Sequence, residues 1–217
     1  FNILQEGDIQ IRGFKLRMPL DILFVFTANP EDYTNRGSIV TPLKDRIQSQ
    51  ILTHYPKNIE TSLMITEQEA RINDVQKKLV SISDLAKRLV EQVSFEARSN
   101  EYVDKKSGVS ARLTIAAFEN AVSSAERRAI MHNEKNTQVW ISDLTGIIPS
   151  ITGKIELVYE GEQEGPYEVA LNLLNKSIRN QFIQYFPNPE LNKKRKTNKK
   201  SAEEPAIENP YKLITAW

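Results

Sequence analysis

The sequence predicts an α/β chain that is mostly helical. Three observations carry that expectation. A short alternating segment with glycine at its centre opens the chain; a run follows in which consecutive rather than alternate residues are apolar; and beyond about residue 56 the apolar period lengthens to that of helices. With 217 residues, 40% of them hydrophobic and 26% charged, the chain can bury one core or two small ones.

In residues 8–18, Ile9, Ile11, Phe14, Leu16 and Met18 share one face, and Asp8, Gln10, Arg12, Lys15 and Arg17 the other, with Gly13 at the bend. That is a β-hairpin pattern. Pro19 ends it. The following "DILFVF" reads as a strand covered on both faces in a parallel sheet, ending at Thr27. Asn29 then stands where the carboxyl end of such a strand would meet its loop, the edge at which open α/β sheets bind ligands. Pro30 biases it towards an extended conformation. Its carboxamide can donate to a phosphate oxygen and accept from an attacking water, although taken alone Asn29-Pro30 reads as a turn after a strand. In "TPLKDRIQSQI" (41–51), Asp45-Arg46 falls near the end of an expected short helix, before another extended apolar segment.

Helix signals then take over. "TEQE" at 66–69 has capping-box spacing and predicts a helix running to about Val80. Ser83 caps a second helix in which Leu85, Leu89 and Val93 recur every four residues, up to the polar loop "SNEYVDKKSG". Ser110 caps a third, with Phe118, Val122, Ala125 and Ala129 as its buried stripe. Further helices are expected over 140–186, punctuated by Pro149, Gly153 and Gly165. "KKRKTNKK" at 193–200, with six basic residues in eight, and the following "SAEEPAIENP" have no apolar period and read as a charged linker. The final "NPYKLITAW" is more apolar again.

In this order, "EGDIQIRG", "FVFTANPEDYTNRG", "TPLKDRI" and "GVSARLTIAAFENAVSSAERRA" resemble the AAA+ ATPases of the MoxR and magnesium-chelatase subunit I clade. The resemblance covers roughly residues 1–186. It implies the C-terminal remnant of an AAA+ P-loop core (1–56), a helical lid (57–135), a helical extension (136–187) and a charged linker and tail (188–217). The hairpin corresponds to the clade's insertion before sensor 1. Asn29 matches the sensor 1 polar residue, Arg46 the arginine finger and Arg112, in "SAR", sensor 2 at the start of a lid helix; Arg36 in "TNRG" is a lower-ranked finger. Without the resemblance, Arg46 reads as a surface ion pair with Asp45 or Glu31, and Arg112 as a solvated helix start.

The implied function is an ATPase, acting with ATP and Mg²⁺ as a homo-oligomeric ring in the cytoplasm. It would remodel a protein partner such as one carrying a von Willebrand A domain. Neither Gly-x-x-x-x-Gly-Lys-Ser/Thr nor an apolar strand ending in Asp-Glu occurs here. Both precede sensor 1 in the family, so the chain is expected to be a piece of a longer protein, inactive and without tightly bound nucleotide by itself.

Other signals point elsewhere only weakly. The charge balance, 29 basic against 28 acidic residues, gives no global pull towards nucleic acid or membrane. Cysteine is absent, which excludes disulfides and thiolate metal sites, and no apolar run reaches the roughly 18 to 20 residues of a membrane helix. Glu156, Glu160, Glu162 and Glu164 read as solvated surface, and His54 and His132 lack ligand spacing, so no metal site is expected. Two rivals to the ATPase remain: a non-enzymatic helical interaction module, and nucleic-acid binding through the basic run, which lacks interleaved aromatics for stacking.

Overall fold

Two residues at positive φ, Arg12 (48°) and Gly13 (89°), close the first element. A two-residue turn of this kind matches the right-handed twist of its flanking strands. β1 (Asp8–Ile11) and β2 (Phe14–Arg17) pair antiparallel, Ile9 opposite Leu16 and Ile11 opposite Phe14, so the apolar side chains share one face as their alternation predicts. Ile11, Phe14 and Leu16 are exposed on it.

The computed structural model describes residues 8–17, 23–27 and 45–186, which divide into two units between Tyr55 and Pro56. In the first unit, the buried strand expected from "DILFVF" is not observed: residues 23–27 have no strand partner, and Leu23, Phe24, Val25 and Phe26 are exposed. Consecutive apolar residues make a buried strand only where neighbouring strands and covering helices exist, and none pairs with this run among the described residues. Asp45 and Arg46 form a turn; the residues of the expected short helix before them lie outside the described residues.

The second unit is helical. α1 (Ile59–Glu69) starts at Asn58, whose Oδ1 accepts from the Thr61 N–H at 2.8 Å. Thr66 is therefore not the cap its sequence spacing suggests; it lies in the last turns of α1, buried. The expected single helix to Val80 breaks at residues 70–73, and Asn73 and Gln76 form the true capping box of α2 (Asp74–Leu79). β3 (Val80–Ser81) pairs parallel with β4 (Thr137–Gln138), a small parallel sheet of two residues per strand.

Ser83 caps α3 (Asp84–Ser99) as expected, its hydroxyl accepting from the Ala86 N–H. Leu89, Val90, Val93 and Ala97 are buried, but Leu85, in the first turn, points outward and Ala86 takes its place. Residues 100–111 are knitted down rather than loosely solvated. Val103 and Val109 bridge antiparallel to Leu157 and Ile155, and Asn100 and Asp104 each turn a carboxyl or amide oxygen onto an N–H two residues on. α4 (Arg112–Met131) buries Phe118, Val122, Ala125 and Ala129, the predicted stripe.

α4 ends in a Schellman motif. Asn133 takes φ 53°, the Glu134 N–H reaches the Ala129 carbonyl and the Asn133 N–H reaches that of Ile130. A 3₁₀ helix (Ile141–Ile147) then runs into α5 (Ile148–Thr152), which starts with Pro149 in its first turn and ends at Gly153. α6 (Tyr159–Glu164) is separated from α7 (Pro166–Tyr185) by Gly165 at φ 102°. α7 packs on α3, and α4 packs on the 3₁₀ helix and α5. One apolar core results, from Val80 through Leu113 and Ile147 to Leu174, with side chains from both sides of residue 136. The described residues are thus mostly helical, with a hairpin and a small parallel sheet.

Candidate functional site at the start of the long helix

Arg112 is the first residue of α4, exposed, with its N–H donating to Ser110 Oγ at 3.2 Å. Ser110 therefore acts one residue ahead of the cap position, which Ala111 occupies without a side-chain bond. Twenty aligned peptide units place the positive end of a helix dipole behind this guanidinium, so charge and backbone together favour an anion here.

Immediately inside lies a buried polar junction of α1, α3 and α4. Thr114, in the same first turn as Arg112, has its hydroxyl 2.9 Å from that of Thr66. Ser62 Oγ donates to Glu91 Oε2 at 2.5 Å, and Glu91 is fully buried. Glu91 Oε1 has no hydrogen-bond partner. The Thr66 hydroxyl, paired with that of Thr114, also lies near enough to steady the carboxylate charge. Burial pushes the Glu91 carboxyl above the ordinary carboxylate range; the Ser62 and Thr66 hydroxyls and the Arg98 charge pull it back, and Glu67 adds to the rise.

The far end of α4 is clamped. Arg128 grips Asp143 through Nε and Nη2, both at 3.0 Å, donates to the Gln138 carbonyl at 2.8 Å, pairs with Glu134 and lies over the Trp140 ring. Asp143 Oδ2 also accepts from the Trp140 N–H, starting the 3₁₀ helix. The carboxylate holds the guanidinium's pKa above its usual value. This clamp ties the far end of α4 to the start of the 3₁₀ helix.

Of the residues the sequence singled out, Asn29 and the alternative Arg36 lie outside the described residues, as do the linker and tail. Arg46 is half-buried in its turn in the first unit, and Arg112 belongs to the second. His54 Nδ1 sits against the Tyr55 carbonyl, and His132 ends α4. Among the described residues, no group of three or more His, Asp or Glu side chains fits a metal ion, and no helix is long and apolar enough to cross a membrane. Glu91 went unread in the sequence. Its signal was a carboxylate next to Val90 and two residues before Val93 on an amphipathic helix, with hydroxyls at Ser62 and Thr66 four residues apart.

No protein-family model, curated protein or solved structure matches the chain.

Proposed function

We propose that the chain is part of an AAA+ ATPase of the MoxR and magnesium-chelatase subunit I clade. In this reading a cytoplasmic homo-oligomeric ring couples ATP hydrolysis to remodelling of a protein partner such as a von Willebrand A domain protein. The observation that carries the reading is Arg112: an exposed guanidinium in the first turn of a 20-residue helix, at the position the motif series assigns to sensor 2. A planar, permanently charged fork at the positive end of a helix suits phosphate oxygens. Arg46 would supply the finger and Asn29 would orient the attacking water. ATP supplies the phosphoryl group, and the ligands of its Mg²⁺ are expected elsewhere in the protein, since the described residues include no fitting cluster.

The test uses the full-length protein. Arg46→Ala should spare nucleotide binding and depress turnover by about 10³ or more. Mixed rings of Arg46→Ala subunits and subunits lacking the phosphate-loop lysine should recover activity, because a finger acts on the neighbouring pocket. Arg112→Ala, acting on its own subunit's nucleotide, should gain little from the same mixing. No rescue of Arg46→Ala in verified mixed rings would remove it as the finger and promote Arg36; equal rescue of both would refute the cis role of Arg112. Absence of any nucleotide binding by the full-length protein would favour a helical interaction module instead. That second reading draws on exposed Ile130, Met131, Trp140 and Ile141 around the end of α4 and the start of the 3₁₀ helix.

A further inference from the structure

α1 packs largely through polar groups. Its fully buried residues are the hydroxyls Ser62 and Thr66; Ile59 and Leu63 on the same side are only half-buried, and Met64 (71% exposed) and Ile65 (41%) face solvent. None of its side chains belongs to the apolar cluster shared by α3, α4, α5 and α7; the nearest members in sequence, Ala70 and Ile72, lie past its end. What attaches it is polar. Ser62 bonds to Glu91, Thr66 to Thr114, and two surface ion pairs, Arg88 with Glu60 at 3.0 Å and Lys87 with Glu67 at 2.6 Å, run to α3. Exposed ion pairs contribute little, and hydrogen bonds exchanged with water contribute modestly. Apolar burial, which does most to hold the other helices together, is limited here to the half-buried Ile59 and Leu63. Local opening therefore has a lower free energy for α1 than for the core helices.

We propose that α1 is a displaceable strap, undocking as a unit from α3 and α4 while the remaining helices stay folded, and uncovering Glu91 and the turn that carries Thr114 and Arg112. The buried Glu91 carboxylate biases this motion, because opening restores water to an oxygen that has no partner when α1 is docked. The charges acting on Glu91 are Arg98 of its own helix and Glu67 of α1. α4 turns the neutral Thr114 into the junction and keeps Arg112 exposed; the Asn180 and Gln181 amides of α7 bond to Glu96 and Gln92 further along α3. Docking raises the affinity of Glu91 for a proton, so docking is tightest when Glu91 is neutral and loosens as pH rises through its raised pKa.

Amide hydrogen exchange on the whole chain, under conditions where closing outpaces exchange, tests this. After correction for intrinsic rates, amides in the body of α1 should exchange at least about tenfold faster than those of Leu89, Val93 and Ala97, with little response to low urea. Val169→Ala in α7 should speed exchange in α3 and leave α1 unchanged. Glu91→Gln, which keeps the shape and removes the charge, should slow α1 exchange at neutral pH by about tenfold and flatten its pH dependence. If α1 exchanges at the rate of α3, rising in parallel with it in urea and in Val169→Ala, there is no strap. If Glu91→Gln leaves α1 exchange unaltered, Glu91 does not bias it.

Discussion

Replacing Asp143 with alanine should show how strongly the far end of α4 is held. The carboxylate accepts three bonds: two from Arg128 at 3.0 Å, and one from the Trp140 N–H at 2.8 Å. Charge-assisted bonds contribute about 1.5–3 kcal/mol each when isolated, and a lost helix-start cap costs about 1 kcal/mol. These do not add, because both Arg128 bonds come from one guanidinium. That side chain is also 24% exposed, against 6% for Asp143, so water recovers part of the loss. The Gln138 carbonyl and Glu134 stay in place as alternative partners for Arg128. A net cost of about 3 kcal/mol follows, a fall of roughly 6–12 °C in Tm for a chain of this size. Urea and thermal unfolding followed by circular dichroism measure it, and a cycle with Arg128→Ala should give a coupling of about 1–2 kcal/mol. A cost under about 0.5 kcal/mol, the range of an ordinary surface change, or no coupling with Arg128, would refute the clamp.

Gly161→Ala should cost about 1–3 kcal/mol in urea unfolding, since its Cβ would sit 2.6 Å from the Tyr102 carbonyl oxygen and main chain must shift. Ser83→Ala should cost about 1 kcal/mol and Ser83→Asp much less, because the Ala86 N–H needs an acceptor at that cap. Glu91→Gln should change the pH profile of global stability. The folded state raises the Glu91 pKa, so its contribution is fully present below the ordinary carboxylate value and is lost as pH rises through the raised one. Unfolding midpoints at mildly acidic and mildly alkaline pH should therefore differ less in Glu91→Gln than in the parent; an unchanged difference would remove Glu91 as the source.

Much of the helical unit was legible in the sequence because its causes are local. Ser83 caps its helix, Phe118, Val122, Ala125 and Ala129 form one face, and Gly13 turns the hairpin, each through spacing and backbone freedom that neighbours a few residues away decide. The errors arose where the outcome depends on distant partners. "DILFVF" has the composition of a buried strand but no pairing edge among the described residues. Thr66 sits at capping-box spacing yet lies inside α1, because Asn58 starts the helix earlier and Thr114, 48 positions away, takes the hydroxyl.

Arg112 was named from a motif, and its place at the head of a long helix was legible from the same stretch. What the sequence by itself determined is therefore the local grammar: caps, stripes, turns and the run that carries this arginine. Only the tertiary structure decided that Glu91 is fully buried opposite Ser62 and that Arg128 grips Asp143. Burial and long-range pairing are properties of three-dimensional neighbours, and a carboxylate on a helix is solvated or desolvated according to what packs over it, which no periodicity along its own helix records.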